Sequence, residues 1–216
     1  MDASVIQNIT IFAIPMILAI TLHEASHAFA ARYFGDSTAY MLGRMTLNPV
    51  KHIDPVWTIA VPLLLILFKL PVFGAAKPVP VNFAALRNPK RDMIWVAAAG
   101  PLANLAMMVL WGLVCKIAIS LPQSGPVNFL ALVGQAGVLV NALIMIFNLF
   151  PLLPLDGGRI VAGLLPGRLS YSFSRTEPYG MIILILLLST HVLDGILWPL
   201  VEMSTNSIYA IMGISL

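Results

Sequence analysis

The chain has 216 residues, of which 59% are hydrophobic and only 10% are charged, and its formal net charge is +3. A soluble globular domain carries roughly 25% charged residues, so this composition excludes an ordinary water-soluble fold and indicates one membrane-embedded domain, 1–216. The positive residues are spread over loops between apolar stretches. They argue against nucleic acid as a partner and favour contact with a lipid bilayer.

The first long apolar stretch, Ile6–Ala31, exceeds the ~20 residues that a helix needs to cross the hydrocarbon, and it contains the pattern H-E-x-x-H at 23–27. Residues four positions apart on a helix share a face, so His23 and His27 can both reach one zinc ion, and Glu24 can take a proton from water. Ionisable groups in mid-bilayer cost on the order of 2.5–3.5 kcal/mol or more, so they usually face the interior and are functional. The alternative is a helix end that merely reaches the membrane surface.

The long apolar stretch is followed by a more mixed sequence. Ala39–Leu47 contains a central glycine flanked by residues compatible with a strand. We predict a short β-hairpin at the membrane surface here, with a plain loop as the alternative.

A shorter apolar stretch, Val56–Pro71, is followed by the proline- and glycine-rich Phe73–Val81. Lys and Arg cluster after the first span, before the second long span and after the third. All three clusters can be cytoplasmic only if Val56–Pro71 does not cross, so we predict that 56–81 is re-entrant. Non-helical backbone at that depth is tolerated where it packs on protein or lines a wet cavity. The N-terminus would then lie outside, and the active site would face the cytoplasmic side of a prokaryotic cell membrane.

The remaining apolar stretches complete an all-α, polytopic helical bundle. Met93–Ile119 and Phe129–Leu155 join the first span in a predicted three-helix catalytic core, about 6–159. Tyr179–Val201 is also long enough to cross, and with the short apolar end it predicts accessory C-terminal helices over 179–216.

A zinc site that catalyses hydrolysis needs three protein ligands and one open position. Asp156 follows two prolines, which disrupt helix hydrogen bonding, and precedes two glycines, which allow close backbone approach. An acid at such an opened helix end is well placed to bind metal, although a simple helix stop at the interface is the alternative. The residues by themselves leave five candidates for the third ligand: His52, Asp54, Asp156, His191 and Asp194.

These motifs together resemble the site-2 protease family of intramembrane zinc metalloproteases. The pattern at 23–27 pairs with Leu155–Gly157, Gly100–Asn104 resembles the family's G-P-x-x-N element, and Asn148 with Pro151 resembles its N-x-x-P element. Segments 47–49, 52–55 and 77–82 resemble the compact bacterial and archaeal branch, which lacks a PDZ-like insert and a CBS-like extension. The resemblance covers roughly 22–159.

The resemblance implies that His23, His27 and Asp156 hold one Zn²⁺ per chain. Glu24 would act first as general base and then as proton donor to the leaving amine. Members of the family hydrolyse peptide bonds within or near transmembrane segments of substrate proteins, in regulated intramembrane proteolysis. A transmembrane protein or peptide is therefore the expected partner.

Five other polar residues have secondary roles to consider. The Asn148 amide could stabilise a developing oxyanion or hold the substrate backbone, or it could form a bond between helices. His52 is a second candidate for the substrate site or a loop residue. Asn104 is expected to serve helix packing, and His191 with Asp194 forms a polar couple.

Three rival functions remain at this point. The chain could be a membrane zinc hydrolase that acts on a lipid or a small molecule, a non-catalytic metal-binding adaptor, or a transporter. The intact Glu24 argues against an adaptor. The long spans show no second half of comparable polarity, which argues against a transporter built on an inverted repeat.

Overall fold

The computed structural model describes residues 3–60, 67, 77–122 and 124–214, and within these ranges every regular element is helical. Short 3-10 helices lie at Pro49–His52 and Phe83–Ala85, and a π-helix lies at Pro55–Ala60. The predicted all-α helical bundle is confirmed. Its α-helices are α1 (Ala3–Tyr33), α2 (Thr38–Met41), α3 (Pro89–Ser120), α4 (Gly125–Asn148), α5 (Asp156–Leu164), α6 (Gly167–Ser174), α7 (Glu177–Ser189) and α8 (Asp194–Met212).

Three of these helices are long and apolar enough to cross a membrane. They are Ile9–Tyr33 of α1, all of α3 and all of α4, with mean hydropathies of 1.6, 2.0 and 2.2. At 1.5 Å per residue, each is longer than the ~30 Å hydrocarbon core of a bilayer. Large apolar side chains such as Ile14, Ile17 and Leu110 are exposed on their outer faces, as suits contact with lipid.

Helices α1, α3 and α4 pack against one another and form the centre of the bundle. Met108 of α3 and Val138 of α4 are fully buried, and they belong to an apolar cluster that includes Val201 and Ile208 of α8. Helix α8 therefore packs against both α3 and α4. The polar residues described below are buried where α1, α3 and α4 meet.

The predicted β-hairpin at Ala39–Leu47 is wrong, because the chain folds into a local helical turn there. Helix α2 occupies its first part, and the backbone N–H of Arg44 donates to the Ala39 carbonyl at 2.8 Å. Asp36 accepts the Thr38 N–H at 2.9 Å and fixes the start of the turn. Bonds of this local kind satisfy the backbone without a second strand, as short polar side chains often do at turns.

The predicted re-entrant segment, 56–81, lies largely outside the described residues. Within the segment, Lys77 lies beside His52, because the Lys77 N–H donates to the His52 carbonyl at 2.9 Å. That the segment is re-entrant stays a prediction.

The fourth apolar stretch, Tyr179–Val201, is not one straight helix. Helices α7 and α8 meet at 84° across a short break. His191 in this break has a φ of 57°, outside the helical region, and its imidazole bonds the Asp194 carboxylate at 2.7 Å. A residue in this left-handed conformation cannot continue an α-helix, so the apolar run bends.

Candidate metal centre

Helix α1 presents His23 and His27 on one face, as their spacing predicts. The two Nε2 atoms are 3.1 Å apart, and both side chains are buried. The rings meet edge to face, with their planes at 84°. The i, i+4 spacing on a regular helix thus converges two metal-binding nitrogens on one point.

Asp156 reaches the same point from the start of α5. Its Oδ2 atom lies 3.2 Å from Nε2 of His23 and 3.4 Å from Nε2 of His27. The chain between Asn148 and Asp156 doubles back tightly, and a Cβ on Gly157 would lie 2.1 Å from the Leu149 carbonyl oxygen. Glycine at 157 therefore allows the turn that brings the carboxylate to the histidines.

Both imidazoles direct a lone pair at this point. Nδ1 of His27 bonds the Val96 carbonyl at 2.8 Å, and a carbonyl can only accept, so this nitrogen carries the proton. Nδ1 of His23 bonds Oδ1 of Asn104 at 2.6 Å. In the neutral ring the proton on Nδ1 leaves Nε2 unprotonated, and an unprotonated Nε2 is the form that binds a metal.

The donor set fits a zinc ion. Oδ2 of Asp156 is buried and makes no hydrogen bond, although it lies beside two imidazole nitrogens. Three lone-pair atoms facing one another repel unless a cation lies between them. Their separations of 3.1, 3.2 and 3.4 Å are close to the about 3.3–3.4 Å edge of a tetrahedron with zinc–ligand bonds of 2.0–2.1 Å. Two histidines and a carboxylate also leave a fourth position open for water or substrate.

The surroundings keep the metal position clear. On α3, a Cβ on Gly100 would lie 2.5 Å from Nε2 of His27 and 2.7 Å from Nε2 of His23. Any larger residue at position 100 would therefore enter the space in which the metal binds.

Glu24 is partly buried and lies next to His23 in α1. Its Oε2 atom accepts the backbone N–H of Val79 at 2.8 Å. Three residues further on, the Asn82 N–H donates to Oδ2 of Asp36 at 2.7 Å. Segment 77–82 is thus held by two carboxylates, that of Glu24 on α1, the expected general base, and that of Asp36 just after the end of α1.

The secondary candidates form hydrogen bonds with groups other than the three clustered ligands. Nδ2 of Asn148 donates to the Ile144 carbonyl at 2.9 Å within its own helix. His52 is buried, and its imidazole bonds the Thr46 carbonyl at 2.9 Å. Among the described residues, the grouping of His, Cys, Asp and Glu with metal-binding geometry contains only His23, His27 and Asp156. His191 and Asp194 pair with each other at the exposed α7–α8 bend.

Sequence reasoning missed two contributors to the site. Asn141 is fully buried and bonds Asn104, and Val79 bonds Glu24. Asn141 did carry a signal, since it is a polar residue in the middle of an apolar helix. The bond from Val79 is made by the backbone and depends on tertiary structure, so no residue type marks it.

Known proteins similar to this chain have zinc metalloprotease names. The chain is 35% identical over 205 residues to "Putative zinc metalloprotease YwhC" of Bacillus subtilis, and the match covers 90% of this chain and 87% of that protein. It is 29% identical over 187 residues to "Putative zinc metalloprotease Rip2" of Mycolicibacterium smegmatis, covering 86% of this chain and 69% of that one. No protein-family model matches the chain. No solved structure matches it.

Proposed function

The chain belongs to the zinc metalloprotease family of YwhC, and from this premise we propose that it is an intramembrane endopeptidase of the site-2 protease type. Its substrates are peptide bonds within or near transmembrane segments of other proteins. The observation that carries the proposal is the convergence of His23, His27 and Asp156 between helices long enough to span a bilayer.

His23, His27 and Asp156 hold one zinc ion in this proposal. A bound zinc ion supplies Lewis-acid polarisation of the scissile carbonyl and lowers the pKa of water towards ~7. The protein's own contribution is the geometry. The partners of both Nδ1 atoms turn the Nε2 lone pairs inwards, and Gly100 leaves room for the ion beside both Nε2 atoms.

Glu24 moves the proton in hydrolysis. Its carboxylate accepts a proton from the attacking water, whose oxygen bonds to the scissile carbonyl carbon. As the C–N bond breaks, the same carboxyl group gives the proton to the leaving amine, so one water is consumed for each bond cleaved. The Val79 N–H bonds Oε2 of Glu24, which holds the carboxylate in one orientation and leaves Oε1 to accept the proton.

Asn148 and His52 have supporting roles in the proposal. The Asn148 amide would stabilise the developing oxyanion or hold the substrate backbone. For this it must exchange its bond to the Ile144 carbonyl for one to the substrate. His52 acts from a distance, because it fixes the loop that receives the Lys77 N–H and so supports segment 77–82 on the substrate side of Glu24.

We place the enzyme in the cytoplasmic membrane of a prokaryotic cell with its site towards the cytoplasm. The orientation follows from the basic clusters around 32–51, 77–91 and 159–175. Water would reach the metal from that side, whereas a substrate helix would approach through the bilayer and unwind locally to expose its backbone.

The test compares purified wild-type protein with Glu24→Gln in the same detergent or lipid. The measurements are the molar zinc content and the rate of cleavage of a model transmembrane peptide. Glu24→Gln is expected to keep the zinc content of the wild type and to lose on the order of 10²–10⁴-fold in rate, the range for loss of a general base. Cleavage by Glu24→Gln at the wild-type rate would refute the proposed role of Glu24.

The same preparation separates the rival functions. A wild-type protein that holds zinc but hydrolyses lipid or small-molecule esters, and not the peptide, would be a membrane hydrolase of another class. Zinc binding without any hydrolysis of these substrates would favour a metal-binding adaptor. Cleavage of the peptide that stops on zinc removal and returns on its addition is the outcome we expect.

A further inference from the structure

Two asparagines lie behind His23, and only the first of them, Asn104, touches it. Asn104 of α3 and Asn141 of α4 are both fully buried. A primary amide costs free energy in an apolar interior unless its donors and acceptor are all bonded. Their hydrogen-bond partners therefore define what the pair does.

The direction of every bond in this group follows from two backbone carbonyls. Nδ2 of Asn141 donates to the Gly137 carbonyl at 2.8 Å, since a carbonyl can only accept. Oδ1 of Asn141 then accepts from Nδ2 of Asn104 at 2.9 Å. The same Nδ2 also lies 3.3 Å from the Ala19 carbonyl, which again requires the donor end of the amide.

The remaining end of Asn104 is therefore an acceptor, and it faces His23. Oδ1 of Asn104 lies 2.6 Å from Nδ1 of His23, so Nδ1 must carry the proton. The unprotonated Nε2 then points at Asp156. The backbone of α4 thus determines, through two side chains, which tautomer His23 adopts on α1. His27 obtains the same result from a single carbonyl, that of Val96.

We propose that Asn104 and Asn141 form a positioning relay that holds His23 in the metal-binding tautomer and orientation. The relay joins α1, α3 and α4 at the site, so the metal affinity of His23 depends on the packing of all three helices. Partners of metal-bound histidines that act in this way typically contribute 10–100-fold to metal affinity. The inference rests on the proposed zinc site, but its spectroscopic test does not require metal.

The first measurement is zinc affinity, determined by competition with a chelator. Asn104→Leu removes the acceptor for His23, and we expect its zinc affinity to fall about 10–100-fold. Asn141→Leu leaves that acceptor in place but removes the group that orients it, so its loss should be smaller, about 10-fold, the lower end of that range. Asn128→Leu, at an exposed position of α4, is the matched control and should bind zinc as the wild type does.

The second measurement reads the tautomer directly. The chain contains four histidines, so ¹⁵N-histidine labelling gives a spectrum that can be assigned with single His→Gln variants. In metal-free wild-type protein, Nδ1 of His23 is expected to be protonated whatever the state of Nε2, because Oδ1 of Asn104 can only accept. In Asn104→Leu, a fraction of the molecules should lose the proton on Nδ1.

Asn104→Asp tests partial rescue, because one carboxylate oxygen still accepts from Nδ1 of His23, although the other cannot donate to Asn141 and Ala19. We expect it to restore the Nδ1–H tautomer and to bind zinc more tightly than Asn104→Leu does. Should Asn104→Leu fail to fold, Asn104→Asp and Asn141→Leu still decide the matter. Wild-type tautomer and zinc affinity in Asn141→Leu would overturn the relay.

Failure of the relay can be distinguished from failure of the proposed function. Variants that lower only the thermal stability, with zinc affinity and the His23 tautomer unchanged, would show that the asparagines serve packing alone and would overturn the proposal. A wild-type protein that binds no zinc would instead overturn the proposed function. In that case the tautomer of His23 in metal-free protein would still support or overturn the relay.

Discussion

Val79 donates its backbone N–H to the carboxylate of Glu24 at 2.8 Å, so the expected general base is bonded to a segment 55 residues further along the chain. Pro78 and Pro80 flank Val79 and have no N–H of their own. The donor at position 79 is thus isolated between two residues that cannot donate. Segment 77–82 can therefore orient Glu24 without offering its carboxylate a neighbouring donor at 78 or 80.

Val79→Pro removes this donor without adding charge. A hydrogen bond to a charged group contributes about 1.5–3 kcal/mol, and each 1.4 kcal/mol is about tenfold in rate. We therefore expect cleavage of a transmembrane peptide to slow by about 10–100-fold while the zinc content stays that of the wild type. Val79→Ala keeps the N–H and is the control. Equal cleavage rates for the two variants would show that the bond does not orient the base.

Asp156→Ala removes the third ligand and leaves two histidines. We expect its purified form to lose most of its zinc, because a pair of neutral imidazoles on one helix binds the ion far more weakly than three ligands do. The metal content is measured per mole of protein. Asp194→Ala is the matched control, since this carboxylate also contacts an imidazole but lies at the exposed α7–α8 bend. Full zinc content in Asp156→Ala would remove Asp156 from the site.

Gly100→Ala places a methyl group where the metal belongs. The added Cβ would lie within 2.5–2.7 Å of both Nε2 atoms, which is too close for contact without displacement of the ligands. Zinc content and peptide cleavage should both fall, with cleavage reduced by at least about 100-fold, as displacement of a catalytic group by 1 Å can cause. Gly125→Ala is the control, because a Cβ there meets nothing within 4 Å. Normal zinc content in Gly100→Ala would contradict the geometry of the centre.

The sequence could predict two parts of the site. One is fixed by the local geometry of a helix, and the other is marked by proline and glycine residues that interrupt an apolar span. The spacing of His23 and His27 defines a shared helix face whatever surrounds it. The prediction of Asp156 as the third ligand rests on weaker evidence, because the neighbouring prolines and glycines also fit a simple helix stop. Only a set of spaced motifs distinguished it from the other four candidate ligands.

The remaining features depend on how helices align with one another. The bond between Asn104 and Asn141 requires a particular register of α3 against α4, which hydrophobicity does not encode. The hairpin prediction at Ala39–Leu47 failed because local bonds from Asp36 and within α2 satisfy the backbone. The bend at His191 was missed because the apolar run Tyr179–Val201 continues through it unchanged.

The topology can be tested with introduced cysteines, because the single native one, Cys115, is buried. In a Cys115→Ala background, Arg91→Cys and Arg168→Cys place thiols at exposed positions near the starts of α3 and α6. The fold brings these ends together, since the Lys90 ammonium bonds the Leu165 carbonyl. Ser124→Cys lies in the loop between the end of α3 and the start of α4. This loop is at the other end of α3 from Arg91.

In intact cells, a membrane-impermeant thiol reagent should label Ser124→Cys, whereas Arg91→Cys and Arg168→Cys should react only after the membrane is opened. This result follows from the positive-inside rule, because the basic clusters lie at the end of the bundle that holds Arg91 and Arg168. A permeant reagent should label all three variants and shows that each thiol is accessible. Labelling of Arg91→Cys in intact cells would place the metal centre towards the outer face and reverse the proposed orientation.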